Sequence, residues 1–259
     1  VFPWEGATVI GTTDLDHAET LNQDACITAA EVDYLLAACA QQFPGTQIGS
    51  ADVLSSWAGV RPVVTDGQPT TADKKPSDEK REHALWVEPG CVTLAGGKLT
   101  TFRLLALEVL QACAGFVGRP VEDVGSAVFA PLPPQLLPGL SSSQQRRLRG
   151  RYGRALAQVA ESLAQVGSDT VGATDTFRAE LEFAAEHELV LHLDEIMLRR
   201  KRLKILLEQG GAAELPRIRQ LCHARLGWDD VRWDAEQQAY IDLWQRCYSL
   251  PADTTRTPA

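Results

Sequence analysis

Two adjacent glycines and a lysine stand where the apolar run Val92-Thr93-Leu94-Ala95 meets a helix-periodic stretch. Glycines let the backbone come close to a ligand, while the N–H groups and dipole of a helix start favour negative charge. Lys98 adds a full positive charge at the same point. Gly96, Gly97, Lys98, Leu99 and Thr100 therefore form a candidate cradle for a phosphate or for the electron-rich edge of a cofactor ring. A plain tight turn would explain the same residues without any ligand. The spacing rejects a P-loop, because Val92 stands where its first glycine belongs and Leu99 follows the lysine.

Arg61, in Ser55-Ser56-Trp57-Ala58-Gly59-Val60-Arg61-Pro62, ends an apolar stretch and is fixed by the following proline. A guanidinium there is costly to bury without an anionic partner, which either a ligand or an internal carboxylate could supply. Arg81, in Ser77-Asp78-Glu79-Lys80-Arg81-Glu82-His83, reads by itself as a solvated loop charge. His187-Glu188 with His192 imitates a zinc motif. HExxH needs histidine at 191, which is Leu191, so no metal is expected. Arg199-Arg200-Lys201-Arg202 with Lys204 can pair with Asp194 and Glu195, whereas Arg146, Arg147, Arg149, Arg151 and Arg154 could face anionic lipid.

The elements that must position these residues divide into two kinds. Val1 to Thr13 reads as two short extended segments broken at Glu5-Gly6. Thr28-Ala29-Ala30-Glu31 has capping-box spacing and opens a helix to about Gln41. Residues 52–64 read as a strand, and 84–87 with 91–95 as a hairpin or two buried strands around Pro89-Gly90. Leu99, Phe102, Ala106, Val109 and Cys113 then recur at helical spacing. The pattern after Gly118 shifts to Pro, Gly and Ser, and from 144 onward it is helical: about 144–151, 154–166, 176–191, 194–209, 212–226 and 234–248. The expected fold is thus α+β or α/β over residues 1–118, a linker over 119–143, and an all-helical part over 144–259.

Composition sets the outer bounds. The chain has 259 residues, 44% hydrophobic and 23% charged, which excludes bulk disorder and a disulfide miniprotein. Its net charge of −9 argues against nucleic-acid binding. That charge lies wholly in residues 1–138, with 17 acids against 8 bases, while 139–259 hold 17 of each. The six cysteines form no CxxC, so reduced thiols buried in cores are the expectation. The longest uncharged run, 124–145, carries four prolines and cannot span a bilayer, so no spanning segment is expected. The one methionine is Met197, so a fragment or processed product is expected.

Taken in order, several blocks resemble FAD-dependent glycerol-3-phosphate dehydrogenase. They are Pro3-Trp4-Glu5-Gly6, Ile10-Gly11-Thr12-Thr13-Asp14, Trp57-Ala58-Gly59-Val60-Arg61-Pro62, Arg81-Glu82-His83 and Gly96-Gly97-Lys98-Leu99-Thr100-Thr101-Phe102-Arg103. Arg151-Tyr152-Gly153 and Leu198-Arg199-Arg200 extend the likeness more loosely into the helical tail. The chain has no GxGxxG, so the resemblance implies a C-terminal portion: part of a substrate cap, the end of an FAD domain, and a helical C-terminal domain.

The resemblance also implies roles. Arg61 would sit over the flavin and favour the alkoxide-like transition state, making it the catalytic cation. Arg81 and Lys98, with Arg61, would hold the substrate, the first two at its phosphate. Gly96, Gly97, Lys98, Leu99 and Thr100 would lie at the cofactor edge. The implied reaction takes sn-glycerol 3-phosphate to dihydroxyacetone phosphate, with FAD as cofactor and membrane quinone as acceptor. The implied base falls before Val1, so the isolated chain is expected to be inactive, and His83 is not assigned that role. A cytoplasmic enzyme with peripheral contact to an anionic membrane, and homo-oligomerisation, are further expectations. A glycerol-3-phosphate oxidase using oxygen, or a non-catalytic helical docking module, are the alternatives.

Overall fold

The computed structural model describes residues 1–17, 19–61, 83–120, 131 and 137–252. They fall into two compact units. One comprises Val1–Thr13, Thr20–Gly59 and Leu132–Ala259, and the other Asp14–Glu19 and Val60–Pro131.

In the larger unit, β1 (Phe2–Trp4) and β2 (Ala7–Val9) form a small antiparallel ribbon that pairs Phe2 with Val9. Its turn docks on the helical tail: Arg202 stacks over the Trp4 ring at 5.0 Å, and Glu5 accepts from Arg202 at 3.4 Å. Helix α1 (Ala29–Gln42) starts at the expected box, where Thr28 and Glu31 each cap the other's backbone N–H. Burial opposes the Glu31 charge, but hydrogen bonds from Thr13 and Thr28 prevail and lower its pKa.

The strand expected over 52–64 does not form in its described part. A 3₁₀ turn, Ser50–Asp52, leads into an extended stretch that docks singly. The Ser56 N–H donates to the Tyr248 carbonyl at 2.8 Å and its hydroxyl to that of Ser249 at 2.9 Å. Those groups go to the end of a helix, so no neighbouring strand can use them.

The helices after 137 are α3 (Ser142–Tyr152), α4 (Leu156–Val166), α5 (Arg178–His187), α6 (Leu215–Leu226) and α7 (Asp230–Cys247). Ser141 caps α3 through Gln144, and Asp229 caps α7 five residues before the start read from periodicity. Apolar residues at helical spacing fill two cores: Leu156 and Val159 with partly buried Leu163 in one, Leu215, Ile218 and Cys222 with partly buried Leu221 in another. Helix α5 serves both, placing Leu181 in the second core and Phe183 in the first.

The single helix expected over 194–209 is broken. A π turn at Glu195–Arg200 passes through left-handed Arg202 into a 3₁₀ turn at Leu203–Ile205, then another at Glu208–Glu214. Trp244 Nε1 donates to the Lys204 carbonyl at 3.1 Å, taking an acceptor that a continuous helix would need. Gly210 and Gly211, at φ +66° and +77°, complete the break.

In the smaller unit, β3 (His83–Glu88) and β4 (Cys91–Gly96) form a hairpin whose turn is Pro89-Gly90, with Gly90 at φ +81°. The strands are not buried, since a two-stranded ladder has no second layer on its far face: Trp86 and Val87 are about half exposed. A 3₁₀ turn (Leu99–Thr101) leads into α2 (Phe102–Val117), where Leu105 alone is buried. Leu99–Val117 is long and apolar enough, by length and composition alone, to cross a membrane, at mean hydropathy 1.3. Looking for an uncharged run missed this segment because Arg103 and Glu108 lie within it.

Candidate functional site

Strand β4 delivers the backbone into the predicted cradle. Gly96 and Gly97 take φ +77° and +81°, the left-handed region where a side chain is strained. A Cβ on Gly97 would meet Leu105 Cδ1 at 2.6 Å and His83 Cβ at 3.4 Å. The missing side chain therefore lets hairpin and helix close on one another. Gly97→Ala is expected to cost roughly 1–2 kcal/mol in a denaturant melt, from backbone strain and displaced Leu105.

Beyond the glycines the turn opens outward. Lys98 is extended and exposed, and its carbonyl accepts from the Thr101 N–H at 3.0 Å and the Thr101 hydroxyl at 2.9 Å. Leu99 is 87% exposed. As the first N–H groups of the turn, those of Leu99 and Thr100 have no partner within it. The exposed face thus presents backbone donors, a helix N-terminus and the Lys98 ammonium. These features suit an anionic or electron-rich group, and a flavin edge fits them.

Arg61 is placed differently from a buried, unpaired cation. It is exposed, and its guanidinium donates to Asp14 Oδ1 at 2.6 Å. Both residues belong to the blocks that carried the resemblance. Among the described residues Asp14 is the partner of Arg61, and the Gly96–Thr100 turn supplies none of its contacts. Arg81 lies outside the described residues.

Sequence reading missed the partner of His83. Its Nε2 lies 2.6 Å from Glu108 Oε2 on α2, and His83 faces Gly96 across the ladder. No spacing signals that pair, because hairpin register brings the two together. The basic clusters also changed meaning. Arg147 binds buried Glu180 at 2.7 Å, and Arg151 donates to the Arg200 carbonyl at 2.5 Å, so two of the five arginines are directed inward. Lys201 and Lys204 are fully buried. In the zinc look-alike, Glu188 binds Lys201 at 3.0 Å and His192 binds Glu236 at 3.0 Å.

Residues 92–233 match the family described as the C-terminal domain of alpha-glycerophosphate oxidase. The chain belongs to that family. Residues 1–106 match a second description, FAD dependent oxidoreductase, so the cradle at 96–100 lies where the two matches overlap. The chain is 30% identical to glycerol-3-phosphate dehydrogenase 2 of Mycobacterium bovis, over 93% of this chain and 43% of that protein. Glycerol-3-phosphate dehydrogenase of Mycobacterium leprae gives the same figures: 30% identity, 93% and 43%. The mitochondrial glycerol-3-phosphate dehydrogenase of Bos taurus is 28% identical, over 90% of this chain and 34% of that protein. The chain thus spans less than half the length of these relatives. Membership of the alpha-glycerophosphate oxidase family bears out both the resemblance and the α+β fold with a helical C-terminal part.

Proposed function

We propose that this chain supplies the substrate-phosphate and flavin-edge residues of an FAD-dependent oxidoreductase that converts sn-glycerol 3-phosphate to dihydroxyacetone phosphate. The observation that carries this reading is the turn at Gly96–Thr100, which sets exposed backbone donors beside Lys98 at the start of α2. Bound FAD would supply the hydride acceptor for substrate C2. Backbone N–H groups at Leu99 and Thr100 would hold the cofactor's edge and favour negative charge there. Lys98, with Arg81, binds the phosphate dianion as point charge and fork. Arg61 stabilises the oxygen on C2 as its proton leaves, and Asp14 fixes the guanidinium for that task. The domain assignment goes with this reading: residues 1–118 as partial cap and FAD domain, 119–143 as linker, 144–259 as helical domain. The acceptor is membrane quinone, the enzyme works at the cytoplasmic membrane surface, and the chain alone is inactive. Inward use of Arg147 and Arg151 disfavours a helical module whose job is lipid docking.

The test is steady-state oxidation of glycerol 3-phosphate by the complete enzyme carrying Arg61→Ala or Lys98→Ala. Both variants are expected to retain FAD by absorbance and to lose more than about tenfold in kcat/KM, roughly 1.4 kcal/mol. Unchanged kcat/KM in both sinks the substrate-site assignment. An enzyme that holds FAD but ignores glycerol 3-phosphate sinks the substrate and leaves the fold. Running the assay with a quinone and then with oxygen alone distinguishes dehydrogenase from oxidase.

A further inference from the structure

Cys26 and Cys247 lie 221 residues apart in sequence, yet their Sγ atoms stand 2.7 Å from each other. The Cys26 thiol donates toward Cys247, and both thiols also point at the Asp24 carbonyl, at 3.4 and 3.9 Å. Among the six cysteines, all of them described, this is the one pair of sulfurs in contact. The two residues differ in access: Cys26 is exposed and Cys247 is buried. A cleft of about 290 Å³ opens beside them, lined by both cysteines with Ile27, Arg246 and Ser249.

The surrounding contacts say what the pair could control. Cys26 lies in the segment that precedes α1, and Cys247 is the last residue of α7. Besides the sulfurs, that segment is tied to α7 by Arg246 and Asp24 at 3.6 Å, both side chains more than half exposed. Such an exposed pair holds little. We propose that Cys26 and Cys247 form a redox clasp, a dithiol that small-molecule disulfides oxidise to a single cystine joining the segment before α1 to the end of α7.

The exchange balances with a disulfide RSSR as oxidant. The exposed Cys26 sulfur attacks RSSR, forming a mixed disulfide and releasing one RSH. The Cys247 sulfur, already in contact, attacks the Cys26 sulfur and releases the second RSH. Two electrons pass from the protein thiols to RSSR, and the two thiol protons end on the two RSH molecules. Burial and the neighbouring Cys247 push the Cys26 thiol up to about 12, which makes the first step slow at neutral pH.

The test equilibrates the full chain with mixtures of reduced and oxidised glutathione, quenches with an alkylating agent, and maps peptides by mass. The expected oxidised product has Cys26 linked to Cys247 and the other four thiols alkylated. Cys247→Ser should instead trap glutathione on Cys26, and Cys26→Ser should leave Cys247 alkylated only after unfolding. The oxidised wild-type chain should melt several degrees above the reduced one, because so long a loop is closed, and Cys26→Ser should show no such shift. A stable glutathione adduct on wild-type Cys26, or linkage that scatters to Cys91 or Cys113, overturns the proposal. So does a chain whose six thiols all stay alkylatable in excess oxidised glutathione.

Discussion

Glu180→Ala is expected to destabilise the helical part by about 3–5 kcal/mol, read by urea unfolding through the fluorescence of buried Trp228 and Trp233. The carboxylate is fully buried and accepts four hydrogen bonds: from Arg147 at 2.7 and 3.2 Å, from the Tyr152 hydroxyl at 2.6 Å, and from the Phe177 N–H at 2.8 Å. Lys201 extends the network, donating to the Tyr152 oxygen at 2.8 Å and to Glu188 at 3.0 Å. Burial, and then the Glu180 charge, push the Tyr152 phenol far up, so it stays a donor. Removing the carboxylate strands a largely buried guanidinium and a buried hydroxyl without an acceptor, which is why the loss exceeds that of an ordinary hydrogen bond. Glu180→Gln keeps the shape and acceptor oxygen but not the charge, and should lose about half as much. A loss below 1 kcal/mol for the alanine variant would show that water enters and replaces the carboxylate.

The same network marks where the sequence stops being readable. Features written within a few residues were legible: the Thr28–Glu31 box, the Pro89-Gly90 hairpin, and the helical pattern from 144 onward that carries buried Leu156, Val159, Ile218 and Cys222. The glycine-lysine turn was legible for the same reason, since a φ demand and a helix start are local. Pairings fixed by tertiary packing were not. Glu180 stands in an ordinary helical pattern, and nothing nearby announces that Arg147, 33 residues earlier, will meet it. Arg61 and Asp14 are 47 apart, and His83 and Glu108 are 25 apart. The run Arg199 to Lys204 reads as a helical basic cluster that pairs with Asp194 and Glu195, because all these charges are close together in sequence. Two of those charges, Lys201 and Lys204, are in fact interior, and the helix that periodicity had drawn through them breaks at left-handed Arg202 and where Trp244 takes the Lys204 carbonyl.

Lys204 provides the second large effect, and its sign follows from burial. The ammonium has no hydrogen-bond partner among the described residues and sits 3.8 Å from the Tyr248 ring centroid and 5.7 Å from that of Tyr240. Burial pushes its pKa down to about 8, with Asp194, Asp24 and Cys247 resisting and Arg199 assisting. Below pH 8 folded and unfolded chains both carry the proton, and the cost of burying the charge is constant. Between about pH 8 and the unfolded value near 10.5 the unfolded chain binds a proton that the folded chain has released, so stability rises with pH across that window. Lys204→Met keeps the length and removes the titration. The gap in unfolding free energy, Met variant minus wild type, is therefore expected to fall by about 2 kcal/mol between pH 7 and pH 10. Taking this difference cancels the tyrosines and thiols that titrate in both proteins. A gap that stays constant would mean that the two tyrosine faces hold the ammonium charged throughout, so that cation–π attraction and not proton release offsets its burial.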